Sequence, residues 1–247
     1  KYKFVISVIF FEKGTDNIIT SGVGTGFTSD RPGVILTARH LLTETVREVD
    51  AMKAEKVKIN PRFDYTYMFM GTIITPTQWM NFPLSLAAVG ETGTMKDMIA
   101  LRADVQTMEK ARIRGDIMNP NPLNMLMRTF EFADANVGDK VYISGYAPVV
   151  MEFQSKDNNT AIPIYVDLIN FTFPAEATAK IEDMPVNRSG IDIMYRLIDG
   201  AEPGFSGGMV MNVRGQVIAM TIAMSKNFVY AISSKDLKDF LKDNRLR

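Results

Sequence analysis

The sequence of 247 residues has no cysteine, only one histidine and no net charge. Without cysteine it can form no disulfide, no zinc–thiolate site and no thiol nucleophile, which is compatible with a reducing compartment. Its 28 Lys and Arg residues balance 28 Asp and Glu residues, so we expect no basic surface for a phosphate backbone. Thiol chemistry is excluded, and nucleic acid is not expected as a partner.

Long apolar segments are missing as well. The apolar run at residues 4–11 is much shorter than the roughly 20 residues that cross a bilayer. It also lacks the small-residue cleavage site of a signal peptide. We therefore expect neither a membrane-spanning segment nor a signal peptide in this sequence. Because the sequence begins with Lys1 instead of Met, we interpret it as a piece of a longer chain.

Short β-branched and aromatic runs, separated by turn residues, predict an all-β protein. The first six predicted strands, enough to close a small barrel, are residues 4–12, 22–27, 33–42, 56–60, 65–75 and 97–105. A second series comprises residues 137–146, 162–173, 191–198, 209–212, 216–224 and 228–232. We predict an N-terminal barrel (1–111), a linker (112–136), a C-terminal barrel (137–232) and a C-terminal helix (233–247). The segments 43–56 and 76–94 are interpreted as a helical turn or surface loop and as an extended loop.

Two glycine-rich stretches invite a functional interpretation. Residues 22–27 resemble a dinucleotide-binding fingerprint, but no helix is predicted after them, which disfavours that interpretation. Residues 202–208 predict a turn with Ser206 inside it, and glycines at 204, 207 and 208 let backbone N–H groups approach a bound carbonyl. A serine held in this way is a candidate nucleophile. The alternative is an ordinary hairpin turn, in which glycine, proline and serine are common.

A serine nucleophile needs a base to take its proton, and His40 is the only histidine that can serve. A lone histidine is more often structural, so the assignment of His40 as the base depends on a carboxylate that orients its imidazole. Asp97, which opens a predicted strand, is our candidate. The alternatives are Asp64, which lies just before a predicted strand, and Asp104, which lies at the far end of the strand that Asp97 opens.

Three motifs resemble those of one family. Residues 37–40 match T-A-x-H, residues 97–101 are similar to D-I-A-L, and residues 204–208 match G-x-S-G-G. In this order they resemble the trypsin-like (chymotrypsin-fold) serine proteases, most closely the Deg/HtrA type. The resemblance implies two six-stranded antiparallel β-barrels and a C-terminal helix, forming a single protease domain over residues 1–247.

The resemblance also implies a serine endopeptidase that acts on polypeptides through an acyl-enzyme, without cofactor or metal. Ser206 would be the nucleophile, His40 the general base and Asp97 the orienting carboxylate. The N–H groups of Gly204 and Ser206 would form the oxyanion hole. Digestive members have an aspartate where this chain has Phe205, so we expect no activation by an ion pair with a newly cut N-terminus.

The specificity pocket is also inferred from the resemblance. Its expected floor and wall are formed by Gly200, Ala201, Ile222, Ala223 and Met224. Met224 replaces a glycine, which narrows the pocket and favours a small or medium apolar residue before the cut. Asp199 and Glu202 favour a basic residue instead.

Two other functions are weighed against the protease, and no oligomeric state is predicted. A protease-like fold can serve only for binding, as a scaffold or a partner-recognition module. The presence of all three candidate catalytic residues argues against it. A lipase or esterase is disfavoured because its histidine follows the serine in the chain.

Overall fold

The computed structural model describes residues 3–15, 17–74, 79–91, 97–106, 121–157, 160–180, 193–197, 204–225 and 228–246. Within these ranges the strands close into two barrels. The first contains β1 (Lys3–Glu12), β2 (Ile18–Thr28), β3 (Val34–Ala38), β4 (Tyr65–Ile74), β5 (Trp79–Val89) and β6 (Met98–Ala103). The order around this barrel is β1-β2-β3-β6-β5-β4, with antiparallel neighbours throughout.

The second barrel repeats this arrangement. Its strands are β7 (Lys140–Asp157), β8 (Thr160–Lys180), β9 (Ile193–Leu197), β10 (Met209–Asn212), β11 (Val217–Ser225) and β12 (Phe228–Ser233). Their order, β7-β8-β9-β12-β11-β10, is that of the first barrel, and all neighbours are again antiparallel. The predicted fold class, two six-stranded antiparallel barrels with a C-terminal helix, is confirmed.

Three helices lie entirely within the described ranges: α1 (His40–Lys56), α2 (Asn121–Met127) and α3 (Ser234–Asp243). The side chain of Ser233 accepts a hydrogen bond from the Asp236 amide and so caps α3. Leu237, Phe240 and Leu241 are buried in a cluster between the barrels, which explains why the C-terminal helix docks there. None of the helices in the described ranges is long and apolar enough to cross a membrane.

Two predicted elements of the first barrel are wrong. Residues 56–60 alternate polar and apolar, yet they form the end of α1 and the turn after it, with the Asn60 amide donating to the Lys56 carbonyl at 2.8 Å. Ile59 is 90% exposed, so the alternation reflects no buried face. The expected loop at 76–94 instead contains β5. Pro83 lies inside this strand, opposite Met70, although proline is uncommon inside strands because it cannot donate a backbone hydrogen bond.

The third predicted strand also ends earlier than expected. Instead of continuing through residue 42, β3 ends at Ala38 and α1 begins at His40. The helix packs on β2, where a Cβ atom at Gly24 would lie 2.5 Å from Cδ1 of Leu41. The glycine-rich stretch at 22–27 is therefore a strand that leaves room for a helix, which removes the dinucleotide interpretation.

Apolar side chains fill both barrels and the interface between them. Alternate residues of β1, such as Phe4 and Phe10, lie in the core of the first barrel. In β3, Ile35 faces this core while Leu36 belongs to the cluster shared with α3 and the second barrel. This strand is buried on both faces because the barrels pack against each other there, close to His40.

Candidate active site

The pairing of β3 with β6 brings His40 and Asp97 together. Ala38 is opposite Met98 in the antiparallel register, so the residues just beyond these strand ends are neighbours. The Arg39 amide donates to the Asp97 carbonyl at 3.1 Å. The histidine that follows β3 and the aspartate that precedes β6 thus face each other because both strands end at the same level.

The Asp97 carboxylate contacts His40 at two points. Its Oδ1 accepts the His40 backbone N–H at 2.8 Å, and its Oδ2 lies 2.8 Å from Nδ1 of the imidazole. The two side chains are 22% and 27% exposed. Because both carboxylate oxygens are engaged, the imidazole is held in one orientation, with Nδ1 directed at the carboxylate and Nε2 on the opposite side of the ring.

The environment of His40 raises its pKa above the usual value. Burial is the largest single influence and lowers the pKa, because it disfavours the charged imidazolium. The hydrogen bond to Asp97 and the negative charges of Asp97 and Glu44 act in the opposite direction and together outweigh burial. The site therefore stabilises an imidazolium, the species formed when a histidine accepts a proton.

The two alternative carboxylates lie elsewhere. Asp64 pairs with Lys53 at 2.8 Å and with Lys13 at 3.2 Å. The Lys53 contact, followed by the Tyr65 amide and Lys13, holds the pKa of Asp64 below its usual range. Asp104 lines a separate surface groove with Arg102. Of the three candidates, only Asp97 hydrogen-bonds to His40 within the described residues.

Ser206 lies in a tight turn pressed against the first barrel. The Gly208 amide donates to the Phe205 carbonyl at 2.7 Å and closes the turn. Gly207 has φ +82°, and a Cβ atom there would lie 2.5 Å from Oγ1 of Thr37 and 3.0 Å from the Ala38 amide. Only glycine fits this position. The turn therefore reaches the end of β3, immediately before His40.

Hydrogen bonds from both barrels hold the carbonyls of this turn. Thr25 in the first barrel donates from its backbone amide to Ser206 O and from Oγ1 to Gly204 O, both at 2.9 Å. Thr221 in the second barrel donates from Oγ1 to Phe205 O. In a trans peptide the N–H points away from the preceding C=O, so fixing Phe205 O also fixes the direction of the Ser206 N–H.

The amide groups of Gly204 and Ser206 are the predicted donors of the oxyanion hole. Within the described part of the chain, neither N–H donates a hydrogen bond. Gly204 has φ +102°, a conformation that glycine adopts readily. Backbone donors of this kind can stabilise an oxyanion when they are fixed in advance.

Solved structures of other proteins share this architecture, although the sequence matches no protein-family model and no curated protein. One is Rv3671c from M. tuberculosis H37Rv, a serine-to-alanine mutant in its inactive form, with 12% identity and a TM-score of 0.52 over 98% of this chain and 88% of that one. Another is Deg5, with 13% identity and a TM-score of 0.53 over 95% and 85%. The fold is trypsin-like.

Within this trypsin-like fold, the predicted pocket residues have different environments. Gly200 and Ala201 lie outside the described residues. A bulge in β11 falls between Thr221 and Ala223, and it leaves Ile222 buried in the cluster between the barrels. Ala223 is exposed, and Met224 packs partly on the core of the second barrel. Of the predicted wall residues, Ala223 and Met224 thus have accessible surface. The pocket stays a prediction.

Phe205, the residue before Ser206, is held by apolar contacts. Its ring is buried in the second barrel, and a Cβ atom at Gly145 would lie 2.7 Å from ring atom Cδ1. The turn that contains Ser206 is therefore anchored by apolar packing of Phe205.

Three residues near the turn were missed by the sequence analysis: Thr25, Thr221 and Lys3. The buried Lys3 ammonium donates to Ser144 Oγ at 2.9 Å and to Gly145 O at 3.0 Å, and it lies 4.9 Å from the centre of the Tyr146 ring. Burial lowers its pKa to about 8. In the sequence, the only indication that Lys3 is unusual is its place at the start of an apolar strand.

No group of three His, Cys, Asp or Glu side chains in the described ranges could hold a metal ion.

Proposed function

We propose that this chain is a serine endopeptidase, with Ser206 as nucleophile, His40 as general base and Asp97 as orienting carboxylate. The observation that carries the proposal is the two-point contact of Asp97 with His40, at 2.8 Å for each oxygen. A surface histidine needs no such contact, whereas a base that must present Nε2 to a serine does. The three motifs, similar to those of Deg/HtrA-type proteases, support the same assignment.

The chemistry follows from the assigned roles. Nε2 of His40 takes the proton from Ser206 Oγ as the oxygen bonds to the carbonyl carbon of the substrate, and the carbonyl oxygen becomes an oxyanion. The amides of Gly204 and Ser206 donate to that oxyanion. The imidazolium then protonates the departing amine as the C–N bond breaks, which leaves an acyl-enzyme. Water, deprotonated by His40, releases the acyl group and regenerates the serine.

The raised pKa of His40 suits this sequence, because the imidazolium must form during each proton transfer. Asp97 keeps the proton on Nδ1 when the ring is neutral, so that Nε2 is free to accept. We assign substrate contacts to Gly200, Ala201, Ile222, Ala223 and Met224 on the resemblance alone. Ala223 and Met224 are the better candidates, because Ile222 is buried.

A fluorophosphonate probe tests the proposal, since it reacts with an activated serine. We expect labelling of the parent protein at Ser206 and loss of both labelling and peptide hydrolysis in Ser206→Ala, with the fold intact. Ser85→Ala is the matched control, because Ser85 is an exposed serine at a surface groove. Turnover that persists in folded Ser206→Ala would refute the assignment. A folded parent that neither reacts nor hydrolyses peptides would instead indicate a binding module.

A further inference from the structure

Thr25 is buried in β2, with 0% of its surface exposed, and its side chain bonds directly to the turn that holds Ser206. We propose that Thr25 is a positioning residue, whose hydroxyl fixes the Gly204 carbonyl and thereby the backbone donors for the oxyanion. The inference rests on the proposed function of Ser206. The contact is the 2.9 Å hydrogen bond from Thr25 Oγ1 to Gly204 O.

The direction of this hydrogen bond is determined by a second one. The Tyr146 amide lies 2.8 Å from Thr25 Oγ1, and an amide can only donate. The threonine hydroxyl has a single proton, so that proton is left for Gly204 O. Thr25 therefore connects β7 of the second barrel, through its hydroxyl, to the first residue of the turn.

Gly204 needs this restraint more than most residues would. It has no side chain, and at φ +102° its own backbone preferences do not select one orientation of the following peptide. Thr25 holds the 204–205 peptide by its carbonyl, and Thr221 holds the 205–206 peptide in the same way. With both consecutive peptide groups fixed, the N–H of Ser206 keeps its direction.

The side chain of Thr25 has a role separate from its backbone. The Thr25 amide bonds to Ser206 O at 2.9 Å, and the Thr25 carbonyl accepts from Thr37 Oγ1 at 2.6 Å. Both contacts would remain with any side chain at position 25. Removing only the hydroxyl should leave the turn attached to the backbone of Thr25 but should allow the Gly204 carbonyl to rotate.

Thr28 offers a matched control on the same strand. It is also fully buried, but its Oγ1 has no hydrogen-bond partner in the described part of the chain. Thr25→Val and Thr28→Val make the same chemical change at equal burial. Thr25→Ser keeps the hydroxyl and removes only a methyl group.

The experiment measures kcat and KM for one peptide substrate in the parent and these three variants. For Thr25→Val we expect kcat to fall by about 10- to 100-fold, the size of effect that a misplacement of around 1 Å produces. KM should change little, because the donors act mainly in the transition state. Thr25→Ser should restore most of kcat, and Thr28→Val should match the parent. The imidazole pKa of His40 should be the same in all four proteins.

Backbone NMR gives a readout that does not depend on turnover. Thr25→Val should shift the amide resonances of Gly204 and Ser206, and Thr25→Ser and Thr28→Val should not. If the parent proves inactive, the proposed function fails, and these shifts still decide whether Thr25 orients the turn. Unchanged amide shifts in Thr25→Val would overturn the inference, as would full kcat or a loss that Thr25→Ser does not restore.

A folding failure also gives a decisive result. If Thr25→Val does not fold, Thr25→Ala replaces it, since alanine differs from serine at this position only by the hydroxyl. Should Thr25→Ala also unfold while Thr28→Val folds, the hydroxyl supports the fold instead of positioning the turn, and the inference is wrong.

Discussion

Replacing Asp97 with asparagine exchanges one carboxylate oxygen for an NH2 group within the two-point contact to His40. In the structure, Oδ1 accepts the His40 backbone N–H and Oδ2 lies against Nδ1. The single oxygen of asparagine can satisfy the backbone N–H, which leaves its NH2 facing Nδ1. Two donors cannot bond to each other, so the imidazole must carry its proton on Nε2. That tautomer cannot accept the proton of Ser206.

We expect Asp97→Asn to lower kcat strongly and to change substrate binding little. In the template of the Ser-His-Asp proteases, the same change costs about 10⁴ in kcat, or about 5.5 kcal/mol of activation free energy. The pKa of His40 should also fall, because burial remains and the hydrogen bond and charge of Asp97, the main influences that raise it, are lost.

Two measurements check both effects. Steady-state kinetics with one peptide substrate give kcat and KM, and NMR follows the imidazole without ambiguity because His40 is the only histidine. Asp64→Asn and Asp104→Asn are the controls, and both should stay within about tenfold of the parent, as expected for surface carboxylates outside the site. The reasoning is refuted if Asp97→Asn retains kcat within tenfold of the parent, or if the pKa of His40 does not fall.

Two further predictions concern pH. The activity of the parent should rise with pH through one midpoint above 6.5, the ordinary pKa of histidine, because only the neutral imidazole is a base. A kinetic midpoint that differs from the NMR titration of His40 would exclude it as the base. The second concerns Lys3, whose folded pKa of about 8 lies below its ordinary value of 10.5. The folded protein therefore binds this proton less tightly than the unfolded chain, so the free energy of unfolding decreases as pH falls through the window from 10.5 to about 8. Tyr146, with its pKa raised by burial to about 12, stays neutral over this window. Urea unfolding at several pH values should show this change of the free energy of unfolding with pH in the parent and not in Lys3→Met. An equal pH dependence in the two proteins would contradict the prediction.

Local patterns were sufficient for most of the strands and for the C-terminal helix. Residues 209–212 form β10 as predicted, because a short apolar run bounded by turn residues favours a buried strand. The capped start of α3 at Ser233 and the apolar spacing of Leu237, Phe240 and Leu241 were equally visible. Sequence patterns failed where a helix end and a strand show the same alternation of polar and apolar residues. The alternation at residues 56–60 belongs to the end of a helix and the turn after it, and β5 contains Pro83, a residue uncommon inside strands.

By itself, the sequence determined the composition limits and the all-β class, because both depend on residue type and local spacing. The resemblance of three motifs to one family added Ser206 and His40 as candidates, with Asp97 preferred among three carboxylates. Only the tertiary structure shows that Asp97 is the one of the three carboxylates that contacts His40, since strand pairing, not sequence distance, brings it to Nδ1. The roles of Thr25 and Thr221 also emerged only there. Each hydroxyl acts on a carbonyl of the Ser206 turn that lies far from it in the chain, and no local pattern records a hydrogen bond that exists only after the two barrels have closed.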